Sequence, residues 1–155
     1  MATTIVPSDL IVTITESYSL NGVDYGNTMN KTYTSNGQVS QRVMSIAGKA
    51  AEGTTWTNIL ALTTVDGQGQ VVKTDYKYFR ITNLDTANTL NLRIYNGTDY
   101  VAFEVSPASS LLLMDAGIDS PAGTGAITLA DIQAIAGQSS STTGAIDVEF
   151  IMVTA

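Results

Sequence analysis

The 155-residue sequence has no histidine and no cysteine, and only 14% of its residues are charged. Without histidine, no side chain carries an unperturbed pKa that places a general base near neutrality. A Ser-His-Asp triad is excluded in its usual form. A Ser-Lys arrangement needs a buried lysine, and nothing around Lys31, Lys49, Lys73 or Lys77 points to one. The lack of cysteine removes disulfides, thiolate nucleophiles and zinc-thiolate sites. No GxxxxGK[ST] or GxGxxG phosphate cradle occurs. The start, MATTIVPSDL, lacks a basic segment followed by an apolar one, so no secretory signal is expected. No apolar run approaches the roughly 20 residues of a membrane-spanning helix, and no membrane partner is expected.

Basic residues are scarce as well. Seven of them stand against fourteen acidic ones, a formal net charge of -7. Such a chain is repelled by phosphate backbones, so nucleic acid is not an expected partner. Lys73, Lys77, Arg80 and Arg93 lie in or beside the middle strands, but Asp75 and Asp85 interleave with them, the pattern of strand charges facing water.

What the sequence does contain is apolar residues, 44% of the total, and many Thr, Ser, Asn and Gly. The length and apolar content are those of one domain with one real core. A surface of hydroxyls and amides lowers the desolvation cost of broad protein contacts. That composition fits an assembly protein and an ordinary soluble β-domain equally well.

Period-two alternation dominates the chain. After an arm at residues 1–8, DLIVTITE sets Leu10, Val12 and Ile14 on one face. Asn21-Gly22 marks a tight hairpin turn. Thr28 to Thr34 is a half-exposed strand closed by Ser35-Asn36-Gly37, and Val39 to Ile46 is a strand of mixed pattern. Thr55 to Val65 is β-branched and apolar on both faces, as in a central sandwich strand. Lys73, Asp75 and Lys77 share the parity of Phe79 and Ile81, so either a bulge near Tyr78 shifts the register or a loop ends there; the expected strand begins at Tyr78. Phe79 and Ile81, then Leu90, Leu92 and Ile94, then Val101, Phe103 and Val105 read as a three-stranded meander, with Asn96-Gly97 as its second turn.

Pro107 ends the meander, and Leu111 to Met114 is a short apolar strand. DAGIDSPAGTG is a long small-residue loop. In TLADIQAIAG, Thr128 suits an N-cap with Asp131 at N3. Leu129, Ile132 and Ile135 fall on one side, and Gly137 fits the C′ position, so a short helix is expected near residues 129–136. GQSSSTTG is a surface loop. The final strand puts Ile146, Val148, Phe150 and Met152 opposite Asp147 and Glu149. The expected fold is an all-β, antiparallel β-sandwich of about eight strands, jelly-roll-like, with an arm at 1–8 and a single domain at 9–155.

Chemistry-bearing groups are few. Glu104 and Glu149 are formally a glycosidase-like carboxylate pair, but both sit at outward strand positions where solvation is the simpler reading. Asp66-Gly67 and the 115–119 loop, with Asp115 and Asp119, are the nearest approaches to a calcium loop, and neither has EF-hand spacing. Trp56, Tyr76, Tyr78 and Tyr100 are candidates for stacking on sugar rings, although a Trp opening an apolar strand is more often core. No catalytic, cofactor-binding or metal-binding residues are assigned.

Taken in order, SDLIVTITESYSLNG, KYFRITNLDTANTLNLRIYNG, FEVSPASSLLLMD, TLADIQAIAG and AIDVEFIMVTA resemble small jelly-roll virion structural proteins of tailed bacteriophages, cyanophages among them. The likeness spans roughly residues 8 to 155. SPASS departs from it, with Ala108 and Ser109 where a Pro-Gly turn is expected. The resemblance implies a non-enzymatic capsid decoration (cement) protein on the outer surface of the major capsid protein shell, without cofactor. Its implied partners are its own copies, as a homotrimer, and the major capsid protein; its implied location is the virion surface after synthesis in the host cytoplasm. The alternative is a tail, fibre or head-tail component, including a glycan- or receptor-contacting β-sandwich module. Thr3, Thr4, Ile5, Val6 and Pro7 are the candidate partner-binding arm, against the competing reading of a frayed terminus.

Overall fold

The computed structural model describes residues 7–49, 56–63, 71–72, 76–96, 100–114 and 132–154. Every regular element among them is a strand, and the contacts divide the chain into two compact units, one within Met1–Gln38 and one comprising Val39–Thr154.

The first unit is a two-stranded antiparallel ladder. β1 (Ser8–Glu16) pairs with β4 (Asn27–Asn36), from Leu10 opposite Tyr33 to Glu16 opposite Asn27. Two short strands, β2 (Ser19–Leu20) and β3 (Val23–Asp24), form a second hairpin between them. Asn21 and Gly22 have φ of 53° and 80°, so both central residues of this turn adopt the left-handed region that the Asn-Gly pair predicts. Gly26 is required for a different reason. A Cβ there would stand 2.7 Å from the Glu16 carbonyl oxygen. At the open end, the buried Asn36 side chain donates to the carbonyls of Ser8 and Tyr33, both at 2.8 Å.

The second unit contains two sheets. In one, the order is β10 (Tyr100–Val105), β9 (Leu90–Tyr95), β12 (Ala134–Ser139), β6 (Thr57–Thr63) and β7 (Val71–Val72). Its pairings are antiparallel except β6 with β7. In the other, β8 (Tyr76–Asn83) lies between β11 (Ser110–Met114) and β13 (Ile146–Thr154), with β5 (Gln38–Ile46) beyond β13. Both sheets contribute to one core. Ile59, Leu92, Ile94 and Ile135 from the first meet Ile46, Phe79, Ile81, Val148 and Phe150 from the second, and the rings of Phe79 and Phe150 lie 6.3 Å apart. The architecture is all-β and sandwich-like.

Alternation explains most of this. The inward residues foreseen on β8, β9 and β13 are all buried. Where alternation breaks, a bulge is the cause. The register between β12 and β6 slips by one residue, so Ile59 and Leu60 are neighbours in sequence and both buried. A second slip leaves Lys77 between the pairs Val153–Tyr78 and Thr154–Tyr76. The strand therefore begins at Tyr76, not Tyr78, and the bulge resolves the parity conflict.

Two further expectations are corrected. The meander does not form, because β8 and β9 belong to different sheets; only the β9–β10 hairpin survives from it. The connection between β8 and β9 is a corner held by Asn83 and Asp85. Asn83, fully buried, donates to the carbonyls of Asn88, Val105 and Ser106 at 2.9, 3.1 and 3.3 Å. The Asp85 carboxylate accepts from the backbone N–H groups of Ala87 and Asn88 at 2.7 and 2.6 Å. These bonds hold its pKa below the ordinary carboxylate value, that from Asn88 contributing most. A tight corner of this kind sends the next strand across the core rather than back along its own sheet.

The helix near 129–136 is the second correction. Ala134–Ser139 is strand β12, hydrogen-bonded to β9 on one edge and β6 on the other. Pairing with a strand on each edge outweighs the helix preference of Ala and Gln, because local propensity is a weak term beside tertiary pairing. Gly137 is not a cap: a Cβ there would reach 2.9 Å from Ile59 Cδ1 and 3.0 Å from Leu90 Cδ1. Thr128, Leu129 and Asp131 lie outside the described residues, as do the Asn96-Gly97 turn beyond Asn96 and the 115–119 loop.

Candidate functional site

Two surfaces, one in each unit, place chemistry-bearing side chains together.

On the first unit, the alternation that should bury one face leaves both faces largely open. Leu10, Val12 and Ile14 share a face with Tyr33, Lys31 and Met29, and of these only Val12 and Tyr33 are buried. Ile11, on the opposite face, is 66% exposed. At the tip, Tyr18 and Tyr25 pack ring against ring at 6.1 Å, with Leu20 and Val23 exposed beyond them. Six of the ten large apolar side chains exposed among the described residues lie in this unit. Among the described residues the long ladder has two strands, so β1 and β4 each present an edge of backbone donors and acceptors. Lys31 sits over the Tyr33 ring at 5.4 Å from its centroid. Of the expected arm, Pro7 is exposed and directly precedes β1; Thr3, Thr4, Ile5 and Val6 lie outside the described residues.

On the second unit, the outer face of the five-stranded sheet carries a cleft of about 560 Å³. Strand register builds it. Glu104 on β10 is opposite Asn91 on β9, and Asn91 is opposite Gln138 on β12. Carboxylate, amide and amide thus form one row across three strands, and Gln138 is only 3% exposed. In the adjacent row Ala102 and Ala136 flank Arg93, and the small Ala102 side chain lines the cleft. Trp56, just ahead of β6, closes one side, and Tyr100, Phe103 and Lys49 also line the cleft among the described residues. The Arg93 guanidinium stacks on the Trp56 ring at 4.6 Å from its centroid. Arg93 Nε is buried with no hydrogen-bond partner among the described residues, so stacking is what the structure offers this side chain at that atom.

The other expected groups are dispersed. Glu149 lies on the second sheet, bound to Arg80 at 2.8 Å and accepting from Gln41 at 2.8 Å, so it forms no pair with Glu104. The basic residues do not cluster: Arg80 and Arg93 are on different sheets, and Lys73 is outside the described residues. Tyr78 is buried, and desolvation raises its pKa. The Tyr76 side chain is outside the described ones. Among the described residues no three acidic side chains converge as a metal site would require.

Residue patterns flagged Trp56 and Tyr100 but not the amide row. Asn91 reads as an ordinary outward strand residue, and Gln138 was assigned to a loop. No family model matches this chain, and no curated protein or solved structure is significantly similar to it.

Proposed function

We propose that this protein is a non-enzymatic structural protein of a tailed-phage virion, a capsid decoration protein that attaches to the major capsid protein shell as a homotrimer. The observation that carries the reading is the N-terminal hairpin unit. Its strands are long and its side chains apolar, yet Ile11, Tyr18, Leu20, Val23, Tyr25 and Met29 stand in solvent. An isolated two-stranded hairpin is marginally stable in water. Apolar side chains on open strand edges are the surface that a partner covers.

The strand order supports the same reading. Among the longer strands of the second unit, β5 neighbours β13, β6 neighbours β12, β8 neighbours β11 and β9 neighbours β10. These pairs nest inside one another, as in an antiparallel ribbon rolled into a jelly roll, a fold frequent among viral shell proteins. The weakly charged composition reduces the cost of desolvating a broad contact. Symmetric copies multiply weak contacts into firm attachment.

Ile11→Glu with Tyr25→Glu tests this. Both side chains are exposed, and an unchanged far-ultraviolet circular dichroism spectrum establishes that the substituted protein folds. Co-sedimentation with empty capsids and light scattering of the free protein are the readouts. Loss of capsid occupancy or of the trimer is expected. Wild-type occupancy and wild-type mass together would overturn the reading.

A further inference from the structure

We propose that Asn21, at the tip of the hairpin between β2 and β3, is a self-modification site that converts to aspartate and isoaspartate through a succinimide, while the fold protects Asn36 in the same dipeptide context. The proposal needs no partner and does not rest on the capsid reading.

Asparagine followed by glycine is the context most open to this reaction, because no side chain on the following residue obstructs its backbone nitrogen. The chain has three such pairs, Asn21-Gly22, Asn36-Gly37 and Asn96-Gly97. Gly97 lies outside the described residues, and the other two pairs are in opposite situations. Asn21 is exposed, and a Cβ on Gly22 would meet no heavy atom within 4 Å. Asn36 is 6% exposed, pairs with Ser8 at the end of the β1–β4 ladder, and donates from Nδ2 to the carbonyls of Ser8 and Tyr33. Its carboxamide can cyclise only after both bonds break.

The turn brings Asn21 partway to reaction. The φ values of 53° at Asn21 and 80° at Gly22 are those of a type I′ turn. In that turn the side chain of the first central residue and the nitrogen of the second point apart, so ring closure needs ψ of Asn21 to rotate. A type II′ turn keeps φ > 0 at the first central residue and differs by a flip of the one peptide joining the two. That flip swings the Gly22 nitrogen toward Asn21 Cγ, and Gly22 adopts either sign of φ. The pairs Ser19–Asp24 and Leu20–Val23, and the Tyr25 N–H donating to the Tyr18 carbonyl at 2.7 Å, lie outside that peptide. The hairpin therefore stays closed while its tip reacts.

The step balances without an oxidant or a cofactor. The Gly22 nitrogen bonds to Asn21 Cγ, the Cγ–Nδ2 bond breaks, and ammonia leaves with the proton lost from the backbone nitrogen. Water then opens the ring at either carbonyl, giving aspartate or isoaspartate. Each product places a carboxylate between the exposed Leu20 and Val23, and isoaspartate also adds a backbone atom to a two-residue turn.

The test holds the full-length protein in warm, mildly alkaline buffer and follows each asparagine by peptide mapping and mass spectrometry, reading the exchange of amide for acid. In the folded protein, conversion at Asn21 is expected to be at least about tenfold faster than at Asn36, the equivalent of one hydrogen bond that must break. In denaturant the two rates should converge, since only the fold separates them. Asn21→Gln lengthens the side chain by one methylene, disfavours the ring and should remove the fast phase. Equal rates at Asn21 and Asn36 in the folded protein, conversion confined to other asparagines, or a fast phase that survives Asn21→Gln would overturn the proposal. So would an Asn36 that stays as slow in denaturant as in the fold.

Discussion

The hairpin of residues 8–36 and the two-sheet unit of residues 39–154 are written in the same alternating pattern, and it has opposite consequences in them. On β9, Leu90, Leu92 and Ile94 disappear into the core. On β1, the equivalent alternation leaves Leu10 and Ile14 half-buried and Ile11 exposed on the other face. Alternation assigns side chains to faces; burial follows only where another layer covers the face. The apolar side chains that stay exposed on the hairpin are the ones that the proposed function assigns to a partner.

Substitutions break this comparison open in order of size. Phe150→Ala removes a fully buried ring that packs against Phe79, and it should cost about 3–5 kcal/mol in chemical denaturation. Ile11→Ala removes an equally apolar side chain from the hairpin and should change stability by less than about 0.5 kcal/mol. If the two costs were similar, the contrast between covered and open faces would be wrong. Gly137→Ala should lower stability by about 1–3 kcal/mol, because the added methyl meets Ile59 and Leu90 within a packed core.

Ala108→Gly should raise stability by up to about 1 kcal/mol. Ala108 has φ of 54° in the turn where the Ser109 N–H donates to the Ser106 carbonyl, a position where a Cβ is strained. The smallest effect concerns pH. The folded-state pKa of Asp85 is depressed, so its contribution is present above the ordinary carboxylate pKa of about 3.9 and is lost as pH falls through the folded value. Asp85→Asn keeps an accepting oxygen but no titrating group. The stability gap between wild type and this variant, followed by thermal melts, should therefore close under acid.

Much of the two-sheet unit was legible because its core strands obey one rule. Ile146, Val148, Phe150 and Met152 could be assigned inward from spacing alone, and all are buried. Asn21-Gly22 was legible because its backbone demand is local. What escaped depends on partners distant in sequence. The corner that parts β9 from β8 is held by Asn83 bonds that reach Val105 and Ser106, more than 20 residues on. Ile135 suits a helix face as well as a buried strand, and only pairing with β6 and β9 selects the strand. The cleft escaped for the same reason, since Glu104, Asn91 and Gln138 become neighbours only through register.

The central claim is that the uncovered hairpin is the adhesive element. Hydrogen–deuterium exchange of the protein, free and bound to empty capsids, tests it most directly. The account predicts that binding slows exchange across β1 to β4. Protection confined to the two-sheet unit, with the hairpin amides exchanging as fast as in the free protein, would contradict it.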